Sequence, residues 1–341
     1  MRRLLSAFLA IGAGLTSATV AAAPFGAPDS AVVLMYHRFG ESAFPSTNTT
    51  IEQLETHIAE LKSGPYTVLP LEKIAEALSK GEPLPDRTVA ITVDDAFLSV
   101  YNEGWPRLRD AGLPFTVFVA TGDVDRGPPQ YMNWNQIRAM AAAGVSIGAH
   151  SEAHGHLPEM TMDAVVADLD NSEAAFIREL GHRPALFAYP FGETSTAIRN
   201  LIEKRGYLAA FGQHSGVASR WDDRFYLPRF ALNENYGELS RVRLAINALP
   251  IPITSVTPED PLIVGANPPP MGFSLTDPIE SIDRITCYVS HVGKAQTDVL
   301  GSERVEVRVG VPFPKGRTRL NCTVPETDGR WRWFGRQFFV P

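Results

Sequence analysis

Between residues 32 and 211, six short apolar runs alternate with stretches of helical periodicity, and no other feature constrains the fold as tightly. The runs lie at 32–36, 89–93, 115–120, 145–149, 186–189 and 207–211. Helix-like stretches occupy 51–62, 71–79, 97–111, 134–143, 161–180 and 195–205. Such runs read as parallel strands buried on both faces, because parallel strands need crossover connections and the helices provide them. The expected fold class is α/β, with the sheet closed or nearly closed into a (β/α) barrel. Thr50 with Gln53 has the form of a capping box, and Thr161 reads as a helix start. Such barrels place chemistry at the C-terminal ends of their strands, so the residues just past each run are the ones to inspect.

The pattern changes after residue 249. Pro250, Pro252, Pro258 and Pro261 exclude a regular helix there and mark a joint. Beyond it, 304–309 alternates with period two, 319–324 reads as a strand, and 281–289 and 330–340 are further candidates. Turns fall at Gly316 and at Asp328 with Gly329, and a small all-β sandwich is the natural reading. Charge divides the chain at the same place. Residues 24–259 carry 19 basic against 29 acidic residues, whereas 260–341 carry ten against nine.

Arg2 and Arg3, the apolar stretch 4–15 and the small residues Ala21, Ala22 and Ala23 have the form of an export signal, with cleavage expected after Ala22. The expected organisation is a signal at 1–23, a catalytic domain at 24–250, a Pro-rich linker at 251–261 and a β-domain at 262–341. The mature protein is expected to be periplasmic or secreted, without a membrane span. Export permits a disulfide between Cys287 and Cys322, expected to run across the small sandwich. With only these two cysteines, a disulfide-dense scaffold and a cysteine-ligated zinc site are excluded. A formal net charge of −7 argues against nucleic acid as the partner.

Two motifs carry chemistry. Asp94 and Asp95 end an apolar strand, where a turn can bring both carboxylates to one pocket, one as metal ligand and one as base. Alone, the pair reads better as a helix start exploiting the dipole. His150 and His154 follow another apolar strand, and histidines at i, i+4 on one side of a helical turn suit a shared divalent ion. Together, at two strand ends of one barrel, they outweigh the reading as ordinary loop residues.

These motifs, with Phe-Ala-Tyr-Pro-Phe-Gly at 187–192, make residues 30–230 resemble the polysaccharide deacetylases of the nodulation-protein-B type, the family 4 carbohydrate esterases. The resemblance implies a distorted (β/α) barrel that holds one divalent ion, zinc or similar, by Asp95, His150 and His154. It further implies Asp94 as general base and an acetamide carbonyl as the target, with a backbone N–H near Tyr189 supporting the oxyanion. A late-strand histidine usually protonates the leaving amine, and His214 is the candidate. His37 follows the first strand and either lines the pocket or bonds a neighbouring loop. Tyr189 and Phe191 are expected to contact substrate. Tyr131, Trp134 and Phe191 read either as a sugar-stacking wall or as core.

The sequence departs from the family pattern in three places. Ala96 stands where glycine commonly follows the aspartate pair. The third motif has no arginine, and Trp221, Asp222 and Asp223 have the composition of the usual Asp-x-x-Asp-Trp motif in the wrong order. Arg229, on a short segment after the last helix–strand unit, is the candidate to hold Asp94 ionised. Arg38 competes with it, and Arg183 precedes its strand and belongs at the wrong end. The expected activity is removal of N-acetyl groups from an amino-sugar glycan, whether chitin-like, peptidoglycan or exopolysaccharide. The rivals are an O-acetyl esterase using the same metal and base, and a glycan-binding protein that has lost catalysis. Lys315, Arg317, Arg319, Arg330, Arg332 and Arg336, interleaved with Trp331, Trp333 and Phe334, read as sandwich core with solvated arginines or as a glycan-binding surface.

Overall fold

The computed structural model describes residues 29–341, so the signal-like segment lies outside the described residues. Ser30–Tyr36, Thr88–Asp94, Thr116–Val119, Ser146–Ala149, Leu186–Ala188 and Ala209–Phe211 pair in that order, all in parallel. The first two are buried at every position, as strands covered on both faces must be. Alternate residues serve different cores. Val32, Leu34, Val89 and Ile91 join one cluster, whereas Ala31, Val33 and Ala90 join another with Phe118, Ala188 and Phe211. Thr92 and Asp94 share the parity of Ala90, and so the face of the alanine-rich cluster.

The sheet curls round through a short segment after the last strand. Leu227 bridges Phe211, and Phe230–Ala231 pairs in parallel with Leu34 and Met35 of the first strand. This segment nearly closes the barrel, and Arg229 lies in its middle.

The capping box forms at Thr50 and Gln53, and Thr161 caps the helix Met162–Leu180, which ends at Gly181 in the left-handed conformation. The expected helix at 97–111 differs. A π-helical turn, Val100–Gly104, leads into a short α-helix, Trp105–Asp110. Pro106 has no N–H to continue an i→i−4 ladder, and Gly104 packs where a Cβ would lie 2.5 Å from the Phe39 ring. The helix Leu239–Ile246 escaped the sequence reading because Glu238 supplies no side-chain cap.

The C-terminal region forms two sheets of mainly antiparallel strands. One centres on the long strands Gly316–Pro325 and Trp331–Val340, with Thr286–Val289 beside them; the other runs Ile253–Thr257, Met271–Leu275, Arg304–Arg308, Gln296–Leu300. Phe273, Val305, Phe334 and Phe338 join them in one core, a sandwich-like arrangement. Of the expected strand at 281–289 only Thr286–Val289 is extended, after a 3-10 turn at Ile282–Arg284. The proline-rich joint is not a free linker: Leu249–Pro250 pairs with Arg332 and Trp333, and Ile253–Thr257 is an edge strand. Cys287 and Cys322 are disulfide-bonded cross-strand partners within one sheet, not between the two sheets. Trp333 packs edge-on against Phe230, 5.1 Å between centroids, and so ties this region to the barrel.

Candidate active site

Immediately after the second strand the chain takes two left-handed steps, at Asp95 (φ 72°) and Ala96 (φ 58°). Left-handed backbone costs a non-glycine residue about 1–2 kcal/mol, so something must hold it. The Ala96 carbonyl accepts from the Met132 N–H at 2.9 Å. This turn is how consecutive carboxylates, which on a strand would point apart, reach one pocket.

His150 follows Ser146–Ala149. Its Nδ1–H donates to the Ala188 carbonyl at 2.7 Å, which leaves the Nε2 lone pair free. Residues 150–154 form a loop rather than the expected helical turn, with Ser151 (φ 64°) and His154 (φ 51°) left-handed. The buried Asp168 carboxylate holds that loop, accepting the N–H groups of Glu152 (3.0 Å) and Ala153 (2.8 Å). Ser151 Oγ accepts the His154 N–H at 3.1 Å.

Asp95 Oδ1 lies 3.4 Å from His150 Nε2 and 3.1 Å from His154 Nε2, and the ligand atoms of all three fall within 4.8 Å of one another. Asp95 Oδ1 and His150 Nε2 are buried without a hydrogen-bond partner. Such groups are costly unless something else satisfies them, and one carboxylate oxygen with two imidazole nitrogens is a donor set for zinc or a similar divalent ion. The residues fit the metal. Burial would raise the Asp95 carboxyl, but His150 and His154 hold it well below the carboxylate range. Burial would lower the His154 imidazole, and Asp95 raises it on balance.

Asp94 stands beside this group, wholly buried. Arg229 Nη1 donates to its Oδ1 at 2.7 Å and Nη2 to its Oδ2 at 2.7 Å. The guanidinium is fixed in turn, Nε–H to the Gly212 carbonyl at 2.9 Å and Nη1 to Thr92 Oγ1 at 3.2 Å. Burial pushes the Asp94 carboxyl up, and the charges of Arg229, His150 and His37 with the Arg229 hydrogen bonds bring it below its ordinary value. His37 Nε2 is 4.0 Å from Asp94 Oδ2; burial lowers its imidazole against the pull of Asp95 and Asp94.

Other expected residues lie elsewhere. His214 is buried against Tyr226, 4.5 Å between ring centroids, in a cavity of about 340 Å³ lined also by Arg199 and Arg336. Its imidazole folds back over Gly212, where a Cβ would lie 2.6 Å from its Nδ1. Burial, with Arg336, Arg319 and Arg229, holds it well below the usual histidine value. Among the described residues its ring makes no hydrogen bond or ion pair with Asp94, whereas His37 Nε2 lies 4.0 Å from that carboxylate. Tyr189 is fully buried, its N–H bonded to the Phe211 carbonyl (3.0 Å) and its hydroxyl to the Phe225 carbonyl (2.8 Å), so neither is offered to a substrate. Arg38 lies over the Phe97 ring and pairs with Glu41, and Arg183 pairs with Glu173.

Phe191 packs its ring against His154, whereas Trp134 packs edge-on to Phe176 and Tyr131 against Phe97, so the three aromatics make no single wall. Arg330 bonds the Asn247 carbonyl at the end of the helix Leu239–Ile246, and Arg332 bonds the Pro250 carbonyl at the joint, rather than forming a solvated stripe. Asp168 and Glu193 were not singled out from the sequence. Both are buried acids; Asp168 falls among the apolar residues of a helical pattern, which is the signal that marks it, whereas the turn-like Pro190–Thr196 stretch carries no such signal for Glu193.

Residues 81–210 match the polysaccharide deacetylase family. A poly-β-1,6-N-acetyl-D-glucosamine N-deacetylase of Staphylococcus aureus is 24% identical over 238 residues, which cover 61% of this chain and 80% of that one. The Bacillus subtilis protein YxkH, named for polysaccharide deacetylation, is 25% identical over 202 residues, 59% of this chain and 71% of its own. The fold is shared with the Streptococcus pyogenes deacetylase PplD in complex with acetate, at TM-score 0.60 and 22% identity, covering 64% of this chain and 99% of that one. IcaB from Ammonifex degensii shares it at TM-score 0.56 and 23% identity, covering 65% and 99%.

Proposed function

We propose, from the match of residues 81–210 to the polysaccharide deacetylase family, that this chain is a hydrolase of that family and removes N-acetyl groups from an exported or surface amino-sugar polysaccharide. The observation that carries the reading is the juxtaposition of Asp94, gripped by Arg229, with the Asp95, His150 and His154 donor set. Asp95, His150 and His154 would hold a divalent cation, zinc by the donor chemistry, and it would supply Lewis acidity at the acetamide carbonyl.

The chain's own residues divide the remaining work. Asp94, kept ionised and oriented by the Arg229 fork, takes the proton of the attacking water. His37, beside Asp94, is the histidine positioned to return a proton to the departing amine. Phe191 borders the site on the His154 side. The S. aureus relative's name supports a β-1,6-linked N-acetylglucosamine polymer as the first substrate to try. Among the described residues no helix is long and apolar enough to cross a membrane, and the signal-like segment supports export. We take the catalytic domain to end near residue 250 and the β-domain to follow the joint.

The test is acetate release from a panel: β-1,6- and β-1,4-linked N-acetylglucosamine oligomers, peptidoglycan and an O-acetylated xylan. Release from an amino-sugar polymer supports the reading. Release from the xylan alone overturns it in favour of an O-acetyl esterase, and no release from any supports a glycan-binding protein.

A further inference from the structure

Phe191 joins the candidate active site to the C-terminal sheet. Its ring stands edge-on to His154, with centroids 4.6 Å apart at 65°. His156 stacks on it at 4.3 Å and 13°, and the Arg317 guanidinium lies 5.6 Å from its centroid. The nearly buried Glu193 carboxylate ties these two together: Oε2 accepts from His156 Nδ1 at 2.6 Å, and Oε1 is 3.5 Å from Arg317 Nε.

The backbone is held from the same side. Phe191 sits at φ 57°, a conformation uncommon for a bulky residue and sustained only by its surroundings. Gln337 Nε2–H donates to the Phe191 carbonyl at 3.0 Å, and the Tyr226 hydroxyl donates to the next carbonyl, Gly192, at 3.0 Å. Gly192 is itself left-handed, and a Cβ there would fall 2.4 Å from the Gln213 nitrogen. The turn is therefore fixed on both sides, and one of its clamps comes from the last strand of the C-terminal sheet.

His150 is oriented by a hydrogen bond to the Ala188 carbonyl, whereas among the described residues the His154 ring has Asp95 as its polar neighbour and no carbonyl partner. Packing against Phe191 takes the place of that missing orienting bond. We propose that the C-terminal sheet is a working part of the active site, with Arg317 and Gln337 as positioning residues that hold Phe191 against His154 in its ligating orientation. The proposal rests on the deacetylase reading for the nature of the centre.

The experiment measures Co²⁺ affinity of the full chain by competition with a chromophoric chelator, with the cobalt visible spectrum reporting ligand geometry. Arg317 is 40% exposed, so replacing it leaves the core intact. Arg317→Ala should weaken Co²⁺ binding about 10-fold, as loss of an orienting contact around a metal ligand does. Arg317→Lys, which keeps the charge beside Glu193, should recover most of that loss. The Arg317→Ala, Phe191→Ala double variant should bind no more weakly than Phe191→Ala alone. Wild-type affinity and spectrum in Arg317→Ala, or additive losses in the double variant, overturn the positioning role even where the wild type releases acetate. A wild type that neither binds Co²⁺ nor releases acetate overturns this role and the deacetylase reading together.

Discussion

Arg229 and Asp94 form a two-pronged ion pair, 2.7 Å on each arm, with both side chains wholly excluded from solvent. The pair joins the segment that closes the barrel to the strand end that carries the candidate site, so the residue that orients the Asp94 carboxylate comes from the closing segment. A guanidinium matches a carboxylate in shape, and the fork fixes which lone pairs face the pocket.

Arg229→Met should uncover the Asp94 charge inside the protein. Leaving one partner of a buried pair alone costs about 3–5 kcal/mol, read as a lower melting temperature. Arg229 helps hold the folded Asp94 carboxyl below its ordinary value. Its stabilisation is thus present above the unfolded carboxyl's value and is lost as pH falls through the depressed one. Without Arg229 burial dominates and the carboxyl rises, so the acidic limb of kcat/KM should move to higher pH. An unmoved limb with wild-type turnover would leave Arg229 a structural residue only.

Asp94→Asn should bind divalent ion as the wild type does and lose turnover by about 10²–10⁴-fold, the usual worth of a general base. Metal content and acetate release, measured on the same preparation, check it.

The four residues that meet at the candidate site were legible because placement at a parallel strand's C-terminal end can be read from position. Asp94, Asp95, His150 and His154 all follow apolar runs. Arg229 was legible because a buried carboxylate needs a charge partner and its segment could close the sheet. His214 met the same strand-end filter, yet its ring packs on Tyr226 rather than bonding Asp94. Position along a strand says which end of the barrel a residue reaches; it does not say which way the side chain turns, and Gly212 leaves room for this imidazole to fold inward. Arg317 and Gln337 could not be read, since they meet Phe191 across 126 and 146 residues. The strand Gln296–Leu300 was missed because none of its residues is buried and it lacks clean alternation.

Removing the Cys287–Cys322 bridge as a double Cys→Ala variant should lower stability by about 3–4 kcal/mol, from the entropy released by opening a loop of 35 residues. The bridge lies inside the C-terminal sandwich core, so kcat/KM at temperatures where the variant is folded should stay near wild type. Thermal unfolding beside acetate release separates the two effects.

Burial pushes the Asp222 carboxyl up to about 6, against hydrogen bonds from Ser219. The folded state therefore holds this proton more tightly than the unfolded chain, and stability from this group falls as pH rises from about 4 through 6. Asp222→Asn keeps an acceptor for Ser219 and has no charge to bury. Its melting temperature should match wild type near pH 4 and exceed it at pH 7, by about 1–2 kcal/mol equivalent given the residue's partial exposure. A constant difference across that range would contradict the assignment.

The most direct measurement is acetate release from an N-acetylglucosamine oligomer by wild type and His154→Ala, each stripped with chelator and then supplied with zinc. The predicted result is that stripped wild type is inactive and recovers with zinc, while His154→Ala stays inactive at the same zinc concentration. Full acetate release by the stripped wild type, or full recovery of His154→Ala, would contradict the account.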